Sequence, residues 1–203
     1  VKKYIPYFEG LMCKSEDAFA NPYPCENEMR VEHLLTHRSG LGYNETMGDG
    51  HTAEFRDPWL TTDAFVRHVA SHPVAFEPGT QYLYGINQAV LGRLVEVLSG
   101  QDFFEFLKSE IFEPLGMENT KFSLTARERK EFQPLYKKAQ KILGSPGLRP
   151  DLGVSLITDS FDELGYQPGT RAQFGGEGLV GTFADYRKFC EMLLGRGKFG
   201  ELT

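Results

Sequence analysis

Residues 76–100 read FEPGTQYLYGINQAVLGRLVEVLSG, and this stretch decides the fold class. Its Pro78-Gly79 pair interrupts any regular structure that precedes it. Over residues 86–98 the apolar residues recur at helical spacing, which predicts an amphipathic helix with one face in a core. Gly100 follows at the position where a helix C-terminus favours glycine. The stretch therefore predicts a break, a short junction and a strong helix.

The segments on both sides of this stretch predict more helices and few strands. Leu34 and Leu35 are expected to point inward from a short apolar segment, and Phe189, Met192 and Leu193 from the last helix. Pro114 is expected to stop the helix that follows Gly100. The predicted helices cover residues 31–37, 61–71, 103–113, 126–142 and 182–194; residues 154–158 form a candidate strand, and residues 42–60 a long surface loop.

Composition narrows the possible partners. The chain has 203 residues, 40% of them hydrophobic, and a net charge of −6 without a Lys/Arg-rich block. A nucleic-acid-binding surface needs clustered basic charge, so we expect no nucleic-acid partner. No apolar run approaches the ~20 residues that span a bilayer, so no membrane segment is expected. The chain opens Val1-Lys2-Lys3 without an initiator Met, which indicates an internal segment of a longer protein.

The three cysteines leave two interpretations open. Cys13 and Cys25 flank a loop-like stretch that contains proline, and an oxidising compartment would allow a bridge between them. Three unpaired thiols, with Cys190 as the third, are the favoured expectation in a chain so poor in cysteine. The compartment stays open, and the sequence does not give the oligomeric state.

A search for self-contained catalytic motifs finds none. Gly-x-Ser-x-Gly, Ser-x-x-Lys and Lys-Thr-Gly are all absent from the 203 residues. Two histidine pairs, His33/His37 and His68/His72, have a spacing of four that zinc accepts, but neither has the His-Glu-x-x-His base. We therefore favour ordinary capping or surface histidines over metal ligands, and expect neither a metal nor an organic cofactor.

Tyr84 is the candidate catalytic residue. It lies at the junction between Pro78-Gly79 and the strong helix. A phenol held there near a cation ionises more easily and can act as a general base. The alternative is a structural tyrosine that packs its ring, and Tyr82 fits that description better.

Several segments together resemble one family, the class C β-lactamase-related serine hydrolases. They keep the family's order and separations, and the spacing from Tyr84 to Gly92 is most similar to the esterase branch. The segments are VEHLLTHRSGL at residues 31–41, FEPGT at 76–80 followed by Tyr84, VLGRLVEVLSG at 90–100, IFEPLGM at 111–117 followed by residues 120–122, and GGEGLVGT at 175–182.

This resemblance implies an α+β fold of the β-lactamase/transpeptidase type. In that fold an antiparallel sheet with helices on both faces lies next to an all-helical lobe, and the active site lies between them. The chain would supply the helical lobe, about residues 31–125, and a later segment, residues 126–203, that ends in a helix. The family's upstream Ser-x-x-Lys and its downstream Lys-Thr-Gly or His-x-Gly motif would lie outside this partial domain.

The resemblance also implies a reaction. A serine nucleophile would form an acyl-enzyme with a small-molecule ester or amide, and Tyr84 would match the family's catalytic tyrosine and act as general base. Asn at position 86 would complete a Tyr-x-Asn motif, but the chain has Ile86 and then Asn87, which favours esters over β-lactams. The candidate substrate-binding residues are Asn87, Leu41, Tyr43 and Gly176.

Alternatives to the esterase remain open. A β-lactamase, a D-Ala carboxypeptidase or an acyltransferase would use the same scaffold. A catalytically dead homologue would act as a binding or scaffold protein, because a fold does not guarantee chemistry. The 203 residues alone are expected to be inactive, since they lack the nucleophile motif.

Overall fold

A computed structural model describes residues 1–17, 19–43, 61–131, 136–138, 154–156, 173–176 and 178–200. Helices dominate, and the strands form two small antiparallel pairs. The helices are α1 Val31–Leu35, α2 Thr62–Ala70, α3 Asn87–Ser99, α4 Phe103–Leu107, α5 Glu113–Leu115, α6 Ala126–Glu131 and α7 Phe183–Leu194, with a 3-10 turn at Pro6–Phe8 and a π-helical turn at Lys108–Phe112. The strands are β1 Met12–Cys13, β2 Tyr23–Pro24, β3 Tyr136–Lys138 and β4 Val154–Leu156.

The two helices on either side of Pro78-Gly79 form as predicted. Thr61 caps α2, because its hydroxyl accepts a hydrogen bond from the Ala64 amide at 3.1 Å. α3 runs to Ser99 and ends at Gly100, whose φ of +72° is the left-handed conformation that glycine adopts most easily. Nearly all of the predicted surface loop, residues 44–60, lies outside the described residues.

The inward direction predicted for two leucines of α1 holds for only one. Leu34 is fully buried, whereas Leu35 is 64% exposed, so the prediction for Leu35 is wrong. Consecutive side chains of an α-helix point roughly 100° apart, because the helix has 3.6 residues per turn. A helix as short as α1 packs against its neighbours through one side, and of the two leucines only Leu34 lies on that side.

Pro114 does not stop its helix, contrary to the sequence prediction. The chain passes from α4 through the π-helical turn into α5, and the helical segment ends at Gly116 with φ +66°. Pro114 lies in the first turn of α5, where an amide hydrogen is not required for helical hydrogen bonding. The change of register at the π turn therefore makes room for the proline.

The helix predicted over residues 126–142 is wrong at residues 136–138; residues 132–135 and 139–142 lie outside the described residues. α6 ends at Glu131, and Tyr136–Lys138 form β3, which pairs antiparallel with β4 through Tyr136↔Leu156 and Lys138↔Val154. The charged sequence favours a helix locally, but pairing with a distant segment overrides that preference. Of the candidate strand at residues 154–158, Val154–Leu156 form a strand, and residues 157 and 158 lie outside the described residues.

Cys13 and Cys25 form a disulfide bond with an S–S distance of 2.00 Å, so the expectation of unpaired thiols is wrong for this pair. The β1–β2 pairing places Cys13 opposite Tyr23 and brings the two cysteine Cα atoms to 5.1 Å. That separation is within the range that a disulfide spans. Sequence spacing did not reveal the short hairpin that brings the cysteines together. Cys190 on α7 is a free thiol.

Two hydrophobic clusters hold the described residues together. The larger cluster joins Ile5 and Phe8 near the N-terminus to Leu34, to α2 and α3, and to Phe174. Burial of each Val, Leu or Phe side chain contributes roughly 1.5–3 kcal/mol. The smaller cluster comprises Phe112, Leu115 and Met117 with Phe189 and Met192 packed against them.

α7 begins as predicted, because the Thr182 hydroxyl accepts from the Asp185 amide at 3.2 Å. Phe189 and Met192 face the smaller cluster, as expected. Leu193 is instead 57% exposed, so the inward prediction for it is wrong; it lies in the last turn of the helix, beyond the residues that contact the cluster. Within the part of the chain described, no helix has the length and apolar character to cross a bilayer.

Candidate active site

Residues 75–83, which lead to Tyr84, are hydrogen-bonded to residues 37–41. Three backbone amides of residues 75–83 donate to carbonyl oxygens of residues 37–41. The pairs are Ala75 to Gly40 at 2.9 Å, Gly79 to Arg38 at 2.7 Å and Leu83 to His37 at 2.9 Å. The Arg38 guanidinium also donates to the Gly79 carbonyl oxygen. The two segments, which stand apart in the sequence, therefore form one frame under Tyr84.

Glycine is required where these segments meet. A Cβ atom on Gly85 would lie 2.2 Å from the Leu41 carbonyl oxygen, which is a severe clash with the backbone. Gly40 has a φ of +83°, and a Cβ atom there would lie 2.9 Å from the Phe76 oxygen. Both positions accept only a residue without a side chain, because neither backbone partner can move away freely.

Tyr84 presents its phenol to solvent on this frame. Its side chain is 60% exposed, and its ring stacks on His37 at a centroid distance of 4.7 Å. The Tyr43 ring lies 6.0 Å away on an exposed side chain. Among the residues that the structure describes, no hydrogen bond holds the Tyr84 hydroxyl. The hydroxyl is therefore accessible to a substrate while the ring is held from one side.

Asn87 and Leu41, two of the predicted substrate-binding residues, lie beneath the surface. Asn87 is fully buried; its Oδ1 accepts from the Ser39 hydroxyl at 2.5 Å and its Nδ2 donates to the Leu41 carbonyl at 3.4 Å. The Leu41 side chain is fully buried in the larger cluster. Neither side chain faces solvent, and the predicted role of both residues in substrate binding stays a prediction.

Tyr43 and Gly176 lie on the outer side with Tyr84. Gly176 is exposed and its backbone lies against α3, where an added Cβ would be 3.1 Å from the Gln88 Cβ. Gly175, next to it, is closer still, because a Cβ there would lie 2.4 Å from the Gln88 carbonyl oxygen. The predicted glycine loop thus approaches the first turn of α3.

His37 and Gln88 belong to the site although the sequence did not indicate them. The His37 Nδ1 lies 3.0 Å from the Asn87 Nδ2, and its Nε2 lies 2.7 Å from the Gln88 terminal amide. His37 has a φ of +55°, which is uncommon for a residue with a side chain. The sequence interpretation was a histidine that caps a helix end, and only the three-dimensional contact with α3 identifies its partners.

The other potential metal ligands near this frame are engaged elsewhere. His33 Nδ1 accepts from the Arg30 amide at 3.3 Å, and burial of the ring lowers the pKa of His33. Among the described residues, Cys13, Cys25 and Glu77 are the one group of three potential ligands within 4.8 Å. The two sulfurs are bonded to each other and supply no thiolate, and the Glu77 carboxylate accepts from the Glu26 and Asn27 amides at 3.0 and 2.9 Å.

Ile86, which stands where a Tyr-x-Asn motif would have asparagine, is buried in the larger cluster. Its side chain therefore contributes to the core below Tyr84 and offers no polar group beside the phenol.

Across residues 1–202 the chain matches the family model described as Beta-lactamase. The chain belongs to the beta-lactamase family.

Curated relatives of the chain include esterases and acyltransferases. The chain is 29% identical over 173 residues to the lovastatin esterase of Penicillium rubens, which covers 84% of the chain and 41% of that protein. It is 30% identical over 211 residues to the acyltransferase mokF of Monascus pilosus, which covers 97% of the chain and 46% of that protein. The chain thus spans less than half the length of these curated relatives.

Solved structures confirm the expected α+β fold of the β-lactamase/transpeptidase type. EstCE1, described as a hydrolase with promiscuous acyltransferase activity, superposes with a TM-score of 0.67 at 24% identity, over all of this chain and 52% of its own. Simvastatin synthase (LovD) of Aspergillus terreus gives a TM-score of 0.68 at 22% identity, over 98% of this chain and 47% of its own. These identities establish the fold and leave the chemistry to the site.

Proposed function

We propose that the protein containing this chain is a serine hydrolase that cleaves carboxylic esters through an acyl-enzyme, with Tyr84 as its general base. The observation that carries this proposal is the exposed Tyr84 hydroxyl above a ring fixed on His37. A general base must reach the proton it removes, and an exposed phenol to which none of the described residues is hydrogen-bonded has its oxygen open to that contact. The esterase relatives support the choice of substrate class.

The proposed reaction depends on the transfer of one proton, first to Tyr84 and then from it. The Tyr84 phenolate oxygen takes the hydroxyl proton of the serine nucleophile, whose oxygen attacks the ester carbonyl carbon. Backbone N–H donors stabilise the resulting oxyanion, at about 3–4 kcal/mol for each donor. When the tetrahedral intermediate collapses, the C–O bond to the alcohol breaks and Tyr84 returns its proton to the alcohol oxygen. Water then attacks the acyl-enzyme in the same way and releases the acid.

The exposed neighbours of Tyr84 fit the binding of an apolar ester. Tyr43 offers an aromatic face beside the phenol, and the exposed Gly176 backbone lies against Gln88 at the start of α3. Aromatic faces bind apolar groups well, and exposed backbone leaves room for a bulky acyl or alcohol moiety. Since Ile86 is buried, this side of the site lacks the amide that a Tyr-x-Asn motif would supply.

Replacement of the phenol tests the proposal. In the full-length protein, Tyr84→Phe is expected to lower kcat on a chromogenic short-chain ester by roughly 10²–10⁴-fold, the usual contribution of a general base. KM should change little, because the ring and its stacking remain. Tyr82→Phe is the matched control, since Tyr82 is equally exposed and contacts the edge of His37. Unchanged turnover in Tyr84→Phe would exclude the role.

Acyl transfer is the second candidate, favoured by the acyltransferase relatives mokF and the monacolin J acid methylbutanoyltransferase of Aspergillus terreus. The same acyl-enzyme would pass its acyl group to an alcohol instead of water. Product analysis in the presence of an alcohol acceptor separates the two: a new ester indicates transfer, and free acid alone indicates hydrolysis. The 203-residue chain without the rest of the protein should give neither product.

A further inference from the structure

The backbone and the ring of His37 both contact the residues around Tyr84 and the start of α3. Its carbonyl oxygen accepts from the Leu83 amide at 2.9 Å, one residue before Tyr84. Its ring face stacks on the Tyr84 ring at 4.7 Å with an interplanar angle of 30°. Its two ring nitrogens lie 3.0 and 2.7 Å from the side-chain amides of Asn87 and Gln88 at the start of α3. Backbone, ring face and ring edge are all engaged.

The hydrogen bonds around Asn87 define which His37 nitrogen carries the proton. The Asn87 Oδ1 accepts from the Ser39 hydroxyl, and its Nδ2 donates to the Leu41 carbonyl, which fixes the orientation of this amide. The Nδ2 therefore also donates toward the His37 Nδ1, which acts as acceptor. An imidazole with an acceptor at Nδ1 carries its proton on Nε2. The Gln88 side-chain amide, whose nitrogen lies 2.7 Å from that Nε2, must then turn over so that its oxygen accepts the proton.

Gln88 itself is held from the opposite side. Gly175 approaches so closely that an added Cβ would lie 2.4 Å from the Gln88 carbonyl oxygen, and one on Gly176 would lie 3.1 Å from its Cβ. The glycine loop thus packs directly on the first turn of α3. Contacts run from the loop through Gln88 to the His37 ring, and from that ring to Tyr84.

We propose that His37 is a positioning residue, which holds the Tyr84 ring in the orientation that its hydroxyl needs for proton transfer. The inference rests on the proposed function, because it assigns His37 a task only if Tyr84 is the base. An exposed tyrosine without such a support samples several side-chain rotamers. A displacement of about 1 Å in a reacting group can lower a rate by roughly 10²-fold.

The backbone of His37 supports this assignment. Its φ of +55° lies in the left-handed region, which is unfavourable for a residue with a Cβ. Such conformations persist where the surrounding structure demands them, and they concentrate at functional sites. Here the left-handed turn follows α1 and brings the His37 ring under Tyr84. Both nitrogens are occupied by amides, so the ring has none left to bond the phenol and acts through its face.

The test uses two substitutions of His37 in the full-length protein and a histidine elsewhere as control. His37→Ala removes the support, and kcat for ester cleavage should fall roughly 10–100-fold with KM within about 3-fold. His37→Phe keeps a flat ring under Tyr84 and should recover most of kcat. The pH dependence of kcat should keep its shape in His37→Phe. His72→Ala removes a histidine whose ring lies 4.6 Å from that of His68 on α2 and that does not contact Tyr84, so it should leave kcat unchanged.

A second measurement reports on the ring contact independently of catalysis. In protein labelled with 3-fluorotyrosine, the 19F signal that disappears in Tyr84→Phe belongs to Tyr84. It should shift or broaden in His37→Ala and return toward its original position in His37→Phe. If His37→Ala does not fold, Gln88→Leu, which removes only the Nε2 partner, should produce a smaller change of the same kind.

The outcomes separate the two proposals. An unchanged kcat and 19F signal in His37→Ala overturns the positioning role and leaves the general base intact if Tyr84→Phe is slow. Full activity in Tyr84→Phe overturns the proposed function and with it the task of His37, even if the 19F signal shows the contact. Loss of a limb of the pH profile in His37→Phe would make His37 an acid or base itself and overturn the positioning role.

Discussion

At the scale of single residues, the chemistry around Tyr84 depends on which side chains turn inward. The sequence predicted Tyr84 from its place at the junction and Asn87 as a substrate ligand, but it gave no direction for the Asn87 side chain. Asn87 begins α3 and lies on its buried side, whereas Gln88, one position later, reaches His37. The direction of a side chain at a helix start depends on packing partners distant in the sequence, and these are not visible in a local pattern.

Asn87 should therefore matter for stability as well as for the site. Asn87→Leu leaves the Ser39 hydroxyl and the Leu41 carbonyl without their buried partner. A buried polar group that loses its hydrogen bond costs about 1–3 kcal/mol, so we expect a loss of roughly 2–4 kcal/mol in the free energy of unfolding. Urea unfolding of the full-length protein measures it, with the exposed Gln101→Leu as control. A loss below about 0.5 kcal/mol would contradict the buried network.

At the scale of helices and strands, the sequence predicted best where a cap and a hydrophobic period agree. α2, α3 and α7 combine both signals, with Thr61, Gly100 and Thr182 at their ends. The prediction failed where a long-range contact decided the outcome. β3 lies in a segment of helical composition because β4 pairs with it. The π-helical turn before Pro114 likewise has no local signal that single-sequence reasoning recognises.

α7 is docked by a buried carboxylate, which gives an element-scale prediction. The Asp185 Oδ2 accepts from the Asn119 amide at 2.7 Å and from the Thr120 hydroxyl at 3.1 Å, and the residue is 2% exposed. Each hydrogen bond to a charged group contributes about 1.5–3 kcal/mol, and water that enters the space left by the side chain offsets part of this loss. Asp185→Ala should therefore lower the free energy of unfolding by roughly 2–4 kcal/mol.

Glu191→Ala on the same helix is the matched control. Glu191 makes one solvent-exposed ion pair with Arg187 at 2.9 Å, and such pairs contribute about 0–1 kcal/mol. The two variants can be compared by thermal or urea unfolding of the full-length protein. Equal effects of Asp185→Ala and Glu191→Ala would show that the buried carboxylate does not dock α7.

At the scale of the whole molecule, the N-terminal part of the chain is hydrogen-bonded to residues 74–78, which lead to Tyr84. The Val74 backbone exchanges hydrogen bonds of 2.8 Å with Met12 and Lys14 on either side of Cys13. Glu77 accepts from the Glu26 and Asn27 amides just after Cys25. The sequence made these residues appear irregular, because their order comes from a disulfide and from contacts with residues 74–78 rather than from a periodic pattern.

The disulfide should contribute measurably to the stability of this arrangement. It closes a loop with a sequence separation of 12, and loops of about this length yield roughly 2–3 kcal/mol in the chain-entropy model. The double variant Cys13→Ala/Cys25→Ala should lose that amount in urea unfolding, and a reducing agent should have the same effect on the unmodified protein. Cys190→Ala, which removes the free thiol, serves as control. A double variant as stable as the parent would mean that the hairpin holds without its bridge.

The backbone contacts of Gly85 and Gly40 beneath Tyr84 limit the positions at which a member of this family can be altered toward new substrates. Gly85 and Gly40 meet opposing backbone at distances that no side chain fits, so mutagenesis libraries spent on these positions would return unfolded protein. Tyr43 and Tyr82 are exposed on the outer side of this frame, which we call the rim, where their rings lie beside Tyr84 and His37. Selection for new substrates should therefore find its successful variants at the rim, and leave the glycines unaltered.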